Sequence, residues 1–585
     1  MNFFKNVLST VIGIFVFFMV LFFGIIFIGA IFGGNSKGIN VEENSIIELD
    51  LSEVTEDYGG KINIKDFDYY ETNHNGLTDV IRGIENAKTD ENIKGISILN
   101  NYSMLGMAQI KELRIALEDF KKSGKFVWAY SNAYTQKEYY LNSVANTIYM
   151  NPVGEMDFKG LSTEVMFFKD FQEKSGLKME VIRHGKYKSA VEPFLENEMS
   201  EANKQQTTEL LNSLWNSVVS DISLSRKIPI ARLNEVANGL LARTPEMAKT
   251  EKLIDKIAYE DVYHDDIRTK LQIEKDKDYE TISILDYSEN VATTSTNFEE
   301  NKIAIVYAQG EIASGEGDLT TIGELSMRRS LQEARKDDDI KAIVLRINSP
   351  GGNALTSDLI WREIEVTKKI KPVVVSMGNY AASGGYYIAC NANKIFAEPS
   401  TITGSIGVFG TLPNFTQAAN KFGINTVQVK THENASEYSP FVPLDEKFKG
   451  FTLESVEHIY DVFVNRVATG RKMTFATVDS LAQGRVWSGT DAKRIGLVDQ
   501  LGTMNDAIKY AASLTKIEKY STVEYPEYEK NFKDIIGNFI PFSKTKENLI
   551  KQEIGEENYQ MLEKIKKMQI RKGIQAIMPF EIKIK

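Results

Sequence analysis

Residues 334–346 read ARKDDDIKAIVLR, and 247 positions earlier residues 87–99 read AKTDENIKGISIL. The apolar end of the earlier stretch, residues 93–99, reads as a buried strand; residues 107–122 have helical periodicity and residues 126–130 form another strand-like run. Such alternation predicts an α/β fold with helices covering mostly buried sheets. The offset returns: YYLNSVANTIYMNP at 139–152 lies over YYIACNANKIFAEP at 386–399, and Glu192-Pro193-Phe194 over Ser439-Pro440-Phe441. LIDK at 253–256 lies over LVDQ at 497–500, displaced by 244. The chain is one fold written twice. The expected organisation is an N-terminal repeat at 45–287, a charged Ser/Thr-rich join near 287–302, a C-terminal repeat at 302–523 and a tail at 524–585. A basic, helix-like stretch at 544–572 in the tail receives no function.

The second copy carries PSTITGSIGVFG at 399–410, between a strand-like run at 394–397 and a helix-like run beginning near Asn414. Glycines on either side of Ser405 allow a sharp turn that presents its hydroxyl, which makes Ser405 a candidate nucleophile. Upstream, Ser349-Pro350-Gly351-Gly352 follows a strand at 343–347. Glycines there leave backbone N–H groups open to a ligand, so Gly351 and Gly352, with the amide of Ile406, make a candidate oxyanion hole. Alone, each motif reads as a tight turn; together in one repeat they make a candidate site.

The first copy lacks both features: Ser405 falls on Phe158, and Ser349 to Gly352 fall on Tyr102-Ser103-Met104-Leu105. It offers instead GKYKSAVEPF at 185–194, whose Lys188 falls on Ala435 in the second copy. A lysine acts as general base only when neutral, against an ordinary pKa near 10.4. Burial beside Tyr187, Val191 and Phe194 would lower it. His184 and Lys186 are rival bases nearby, and His432 lies in a polar loop of the second copy.

Composition narrows the classes. Lys plus Arg number 69 against 80 Asp plus Glu, a net charge of −11, which argues against a nucleic-acid binder. Hydrophobic residues make up 42%, ample for sizeable cores. The single cysteine, Cys390, sits in an apolar segment and is expected to pack; no disulfide framework is possible within a chain. None of the five histidines has the spacing of a zinc helix, so no metal and no cofactor are expected. Residues 7–32 are uncharged and long enough to cross a bilayer, and their length favours an uncleaved anchor over a signal peptide. Lys5 before the span, and Glu42, Glu43, Glu48 and Asp50 after it, leave residues 1–6 cytoplasmic and the bulk outside.

These stretches resemble the signal peptide peptidase A family in its long, two-repeat, membrane-anchored form. The resemblance runs through the anchor, YKSAVEPF at 187–194, NSPGG at 348–352, ASGGYYIA at 382–389, TGSIGV at 403–408 and GRVWSGTDAKRIGLVDQLG at 484–502. It implies a spiral of βαβ turns of the Clp-protease/crotonase type, with Ser405 as nucleophile, Lys188 as general base and Gly351 and Gly352 in the oxyanion hole. It further implies a homotetramer on the outer face of the bacterial cytoplasmic membrane that cleaves leftover signal peptides. Ser383 is a candidate for orienting the lysine; its other reading is a helix N-cap. A crotonase-fold acyl-CoA enzyme and a non-catalytic membrane scaffold are the alternatives.

Overall fold

The computed structural model describes residues 2–32, 40–64, 69–274, 277–294, 299–435, 438–530 and 574–578. The helix-like stretch expected at 544–572 lies outside them. Two units are distinct, residues 1–42 and 43–585. The first holds one helix, Asn2–Phe32, within which Lys5–Phe23 is long and apolar enough to cross a membrane.

The second unit contains the expected tandem α/β architecture. The first-copy sheet is all parallel, in the order Lys256–Ile257, Thr147–Met150, Phe126–Ser131, Ile93–Leu99, Ser45–Glu48, Thr281–Ser283. The second copy repeats this order with Gln500–Leu501, Lys394–Ala397, Val373–Ala382, Ile340–Ser349, Lys302–Gln309 and Ser521–Tyr525. That last strand runs across the boundary expected at 523. Parallel strands need helical crossovers, which cover both faces; hence the strands read as near-continuous apolar runs rather than alternating ones.

The duplication reaches single hydrogen bonds. Ile148 N–H donates to Asp255 and Ile395 N–H to Asp499, while Arg226 and Arg471 pair with those same two carboxylates. Tyr139 and Tyr386 hydroxyls donate to the carbonyls of Leu253 and Leu497. Cys390 is buried, and burial pushes its thiol up to about 12, as expected of a packing residue.

The copies are joined by buried polar chemistry as well as apolar packing. Arg346, on a central strand of the second copy, donates to Asp57 at 2.8 Å and to Glu112 at 2.8 Å, both from the first copy. All three are buried. Burial alone would lower the Arg346 pKa, but the two carboxylates hold it above its ordinary range. A buried guanidinium without such partners costs several kcal/mol, so this cluster sets how the halves meet. A second join is a strand: Lys178–Arg183 of the first copy pairs antiparallel with Phe409–Asn414 of the second, Arg183 opposite Phe409.

Candidate active site

That crossing strand explains how a lysine from one copy reaches a serine of the other. Immediately after it the chain turns at Gly185, and a 3-10 helix follows at Ser189–Phe194. Between them, Lys188 is driven into the second copy and fully buried. Its Nζ lies 3.0 Å from Ser405 Oγ, 2.9 Å from Ser383 Oγ and 3.2 Å from the Ser405 carbonyl oxygen.

This set of three partners suits a neutral amine. A neutral amine here would give its two N–H groups to Ser383 Oγ and the Ser405 carbonyl and turn its lone pair to the Ser405 hydroxyl. Burial pushes the Lys188 pKa well below the ordinary lysine range. The Phe409 ring has its centroid 5.8 Å from Nζ.

Both serines have a positive φ, Ser405 at 50° and Ser383 at 54° with ψ −114°. For non-glycine residues such conformations cost of order 1–3 kcal/mol and persist only where the surroundings enforce them. Ser405 N–H donates to the Arg485 carbonyl at 2.7 Å, and Gly484 N–H donates to the Ile406 carbonyl at 2.8 Å. Tyr187 N–H donates to the Gln483 carbonyl at 2.9 Å. The turn at 483–485 therefore grips the serine's backbone on one side and the lysine's on the other. Gln206, also buried, adds a clamp: its Nε2 donates to Ser189 Oγ and the Tyr187 carbonyl, while its Oε1 accepts from Val486 N–H.

Ser383 occupies the position before the Gly384–Ala389 helix, yet its side chain makes no capping bond. Its hydroxyl faces Lys188 Nζ and the Gly407 carbonyl instead. His184 lies tilted against Tyr460 with ring centroids 4.1 Å apart, Lys186 lies over the Tyr187 ring, and His432 meets Thr431 in an exposed loop. None of the three is among the hydrogen-bond partners of Ser405. In the first copy, Phe158 fills the place of the serine, edge-on to Tyr139 at 5.8 Å.

The candidate oxyanion donors occupy a strand edge. Gly351, at φ 101°, donates its N–H to Ser349 Oγ at 3.1 Å. Gly352 lies between Ile312 on one side and Ala576 on the other. A Cβ on Gly351 would come within 2.1 Å of the Ala576 carbonyl oxygen, so only glycine admits the strand that lies there. That strand is Gln575–Ile577, inserted between Gly351–Asn353 and Phe409–Asn414. Ile406 is buried, with its carbonyl held by Gly484.

The sequence gives no role to Gly484, although it opens the stretch at 484–502, and does not single out Gln206. A lone glycine has no pattern that names its partner, and Gln206 lies on the exposed-looking helix Glu201–Arg226. Gly484 yields a prediction. At φ 83°, its missing Cβ would stand 2.6 Å from Lys188 Cβ. Gly484→Ala should displace the lysine and lower kcat about 100-fold with KM little changed, since small misplacements of reacting groups cost about that much. Steady-state peptide hydrolysis checks it; an unchanged kcat would show that the lysine tolerates the shift.

With this geometry in view, the comparisons with known proteins are direct. The family model for peptidase family S49 matches residues 119–275 and 365–518, one stretch in each copy. Protease 4 of Haemophilus influenzae is 37% identical over 459 residues, covering 76% of this chain and 74% of that protein. The chloroplastic serine protease SPPA of Arabidopsis thaliana is 33% identical, covering 77% and 68%. Among solved structures, a ClpP1 point mutant from Listeria monocytogenes is 18% identical, covers 35% of this chain and 94% of that one, and has a TM-score of 0.24. The relatives define a serine peptidase. The chain belongs to peptidase family S49.

Proposed function

We propose that the chain is a Ser/Lys endopeptidase. The observation that carries the reading is the buried Lys188 Nζ 3.0 Å from Ser405 Oγ. Neutral Lys188 accepts the Ser405 proton as the oxygen attacks a peptide carbonyl. The resulting oxyanion is held by the amides of Gly351, Gly352 and Ile406, the Gly351 N–H exchanging its Ser349 Oγ partner for it. Protonated Lys188 then gives its proton to the leaving amine, and water, deprotonated by the same amine, hydrolyses the acyl-enzyme. Ser383 keeps the lysine aimed throughout.

The substrates are extended, apolar peptides, cleaved signal peptides among them. Support comes from the edge at Gly351–Asn353, which accepts a strand, and from the apolar side chains around it. The helix Asn2–Phe32 holds the enzyme to the bacterial cytoplasmic membrane, with its N-terminus inside and the peptidase outside. The working form is a homotetramer, as the family resemblance implies.

Incubation of the full-length enzyme with an unstructured apolar peptide and, separately, with an acyl-CoA thioester tests the reading. Peptide cleavage without thioester cleavage is expected. Turnover of the thioester alone would favour the acyl-CoA alternative, and no turnover of either would favour a scaffold.

A further inference from the structure

Lys188 is the central residue of an inverse γ-turn. Its φ of −76° and ψ of 70° fit that turn, and Ser189 N–H closes it on the Tyr187 carbonyl at 2.8 Å. A turn this short has one hydrogen bond of its own, so the direction of its central side chain depends on what holds its two ends. One side chain holds both. Gln206 Nε2 donates to Ser189 Oγ at 2.9 Å and to the Tyr187 carbonyl at 3.1 Å, on either side of the lysine.

The oxygen of the same amide reaches the nucleophile's side. Gln206 Oε1 accepts from Val486 N–H at 3.4 Å. Val486 stands opposite Gly404 in the antiparallel pair of Val486–Ser488 with Ile402–Gly404, and Gly404 immediately precedes Ser405. One amide group therefore spans from the turn that carries the lysine, in the first copy, to the strand pair that carries the serine, in the second. The two reacting groups meet across a joint between copies, and a link bonded to both sides sets their separation.

Gln206 is itself braced. Its Nε2 lies 3.2 Å from Asn203 Oδ1, one turn earlier on the helix Glu201–Arg226, and Asn203 Nδ2 donates to Glu192 of the 3-10 helix that follows the lysine. Ser189, Glu192, Asn203 and Gln206 are all buried. Glu192 is thus engaged by an amide, and burial is what lowers the Lys188 pKa.

We propose that Gln206 is a positioning residue for the peptidase reaction: its amide, braced by Asn203, sets the reach of Lys188 to Ser405 across the joint between the copies. The inference rests on the reading of Lys188 as the base.

The test compares the full-length parent with Gln206→Met, which keeps the length of the side chain and removes its donors and its acceptor. Peptide hydrolysis should show kcat lowered about 10- to 100-fold with KM within about twofold, the signature of misplaced reacting groups. The pH dependence supplies the readout that a merely structural role would not move. A lysine released from its turn is less completely buried, so the rising limb of kcat/KM should shift toward the ordinary lysine range by about one pH unit. Loss of folded protein scales the whole profile and leaves its midpoint in place, so a lower kcat with an unmoved midpoint overturns the inference. Should Gln206→Met fail to fold, Gln206→Asn decides: it keeps the amide but is one methylene too short to serve both ends, and a parent-like kcat and midpoint overturn the proposal. Lys188→Ala in the same assays separates this inference from the reading beneath it. An inactive Lys188→Ala beside a parent-like Gln206→Met removes only the positioning role. An active Lys188→Ala removes the base, and the positioning role with it.

Discussion

Ser405→Ala should abolish peptide hydrolysis, lowering kcat by at least about 10⁴-fold, while the folded protein survives. The magnitude follows from the role: a nucleophile that acts as a unit with its base removes nearly all covalent catalysis when lost, and only backbone donors and binding remain. The fold should survive because Ser405 is held by its backbone. Its N–H is bonded to the Arg485 carbonyl, and the next residue's carbonyl to Gly484 N–H. Alanine pays the same left-handed backbone penalty as serine at φ 50°, so the turn is neither relieved nor further strained. Lys188 keeps Ser383 Oγ and the Ser405 carbonyl as partners. Peptide cleavage assayed beside a thermal melt separates the two effects. Activity within tenfold of the parent, with an unchanged melt, would remove Ser405 from the mechanism.

Much of this site is written along the chain, because duplication left an internal control. The offset of 247 exposes Phe158 under Ser405 and Ala435 over Lys188, so each copy shows what the other lost. Strands such as Ile340–Ser349 and Lys394–Ala397 are legible because burial on both faces forces apolar runs. The side-chain role of Ser383 is not legible, since a serine before Gly384-Gly385 fits a helix cap equally well and only the approach of Lys188 decides. The clamp at 483–485 is invisible for a related reason: it works through main-chain groups, and its single sequence requirement is one glycine. The strand Gln575–Ile577 is three residues long, and its partner edge is Gly351–Asn353. A glycine edge has no side-chain pattern to match, so nothing in either segment announces the other. The meeting of the halves through Arg346, Asp57 and Glu112 also escapes sequence reading, because charged residues are ordinarily surface residues.

The pH dependence of Lys188 gives the second large effect, and it reads out twice. Burial among apolar groups lowers the amine's pKa well below the ordinary lysine value. The base is competent only when deprotonated, so kcat/KM should rise with pH through this depressed value and level off well before the range of a free lysine. Lys188→Ala should lower kcat/KM by on the order of 10³-fold or more and abolish the rising limb. Lys188→Arg should fail as completely, because a guanidinium remains charged at any working pH. Stability supplies the independent reading. With the folded pKa below the unfolded one, the unfolded chain binds more protons between the two values, so folding stability increases with pH across that window. Each unit by which the folded pKa lies below the unfolded one corresponds to about 1.4 kcal/mol of stability, gained as pH rises across that window. Lys188→Met keeps the bulk and removes the titration. It should therefore melt higher than the parent at neutral pH, with the advantage growing as the pH falls toward the depressed pKa and shrinking as it rises toward the unfolded one. An inactive Lys188→Met protein whose stability tracks the parent at every pH would mean that the amine is charged in the folded state. The hydrogen bond to Ser405 would then run from an ammonium, and a different base would have to be sought.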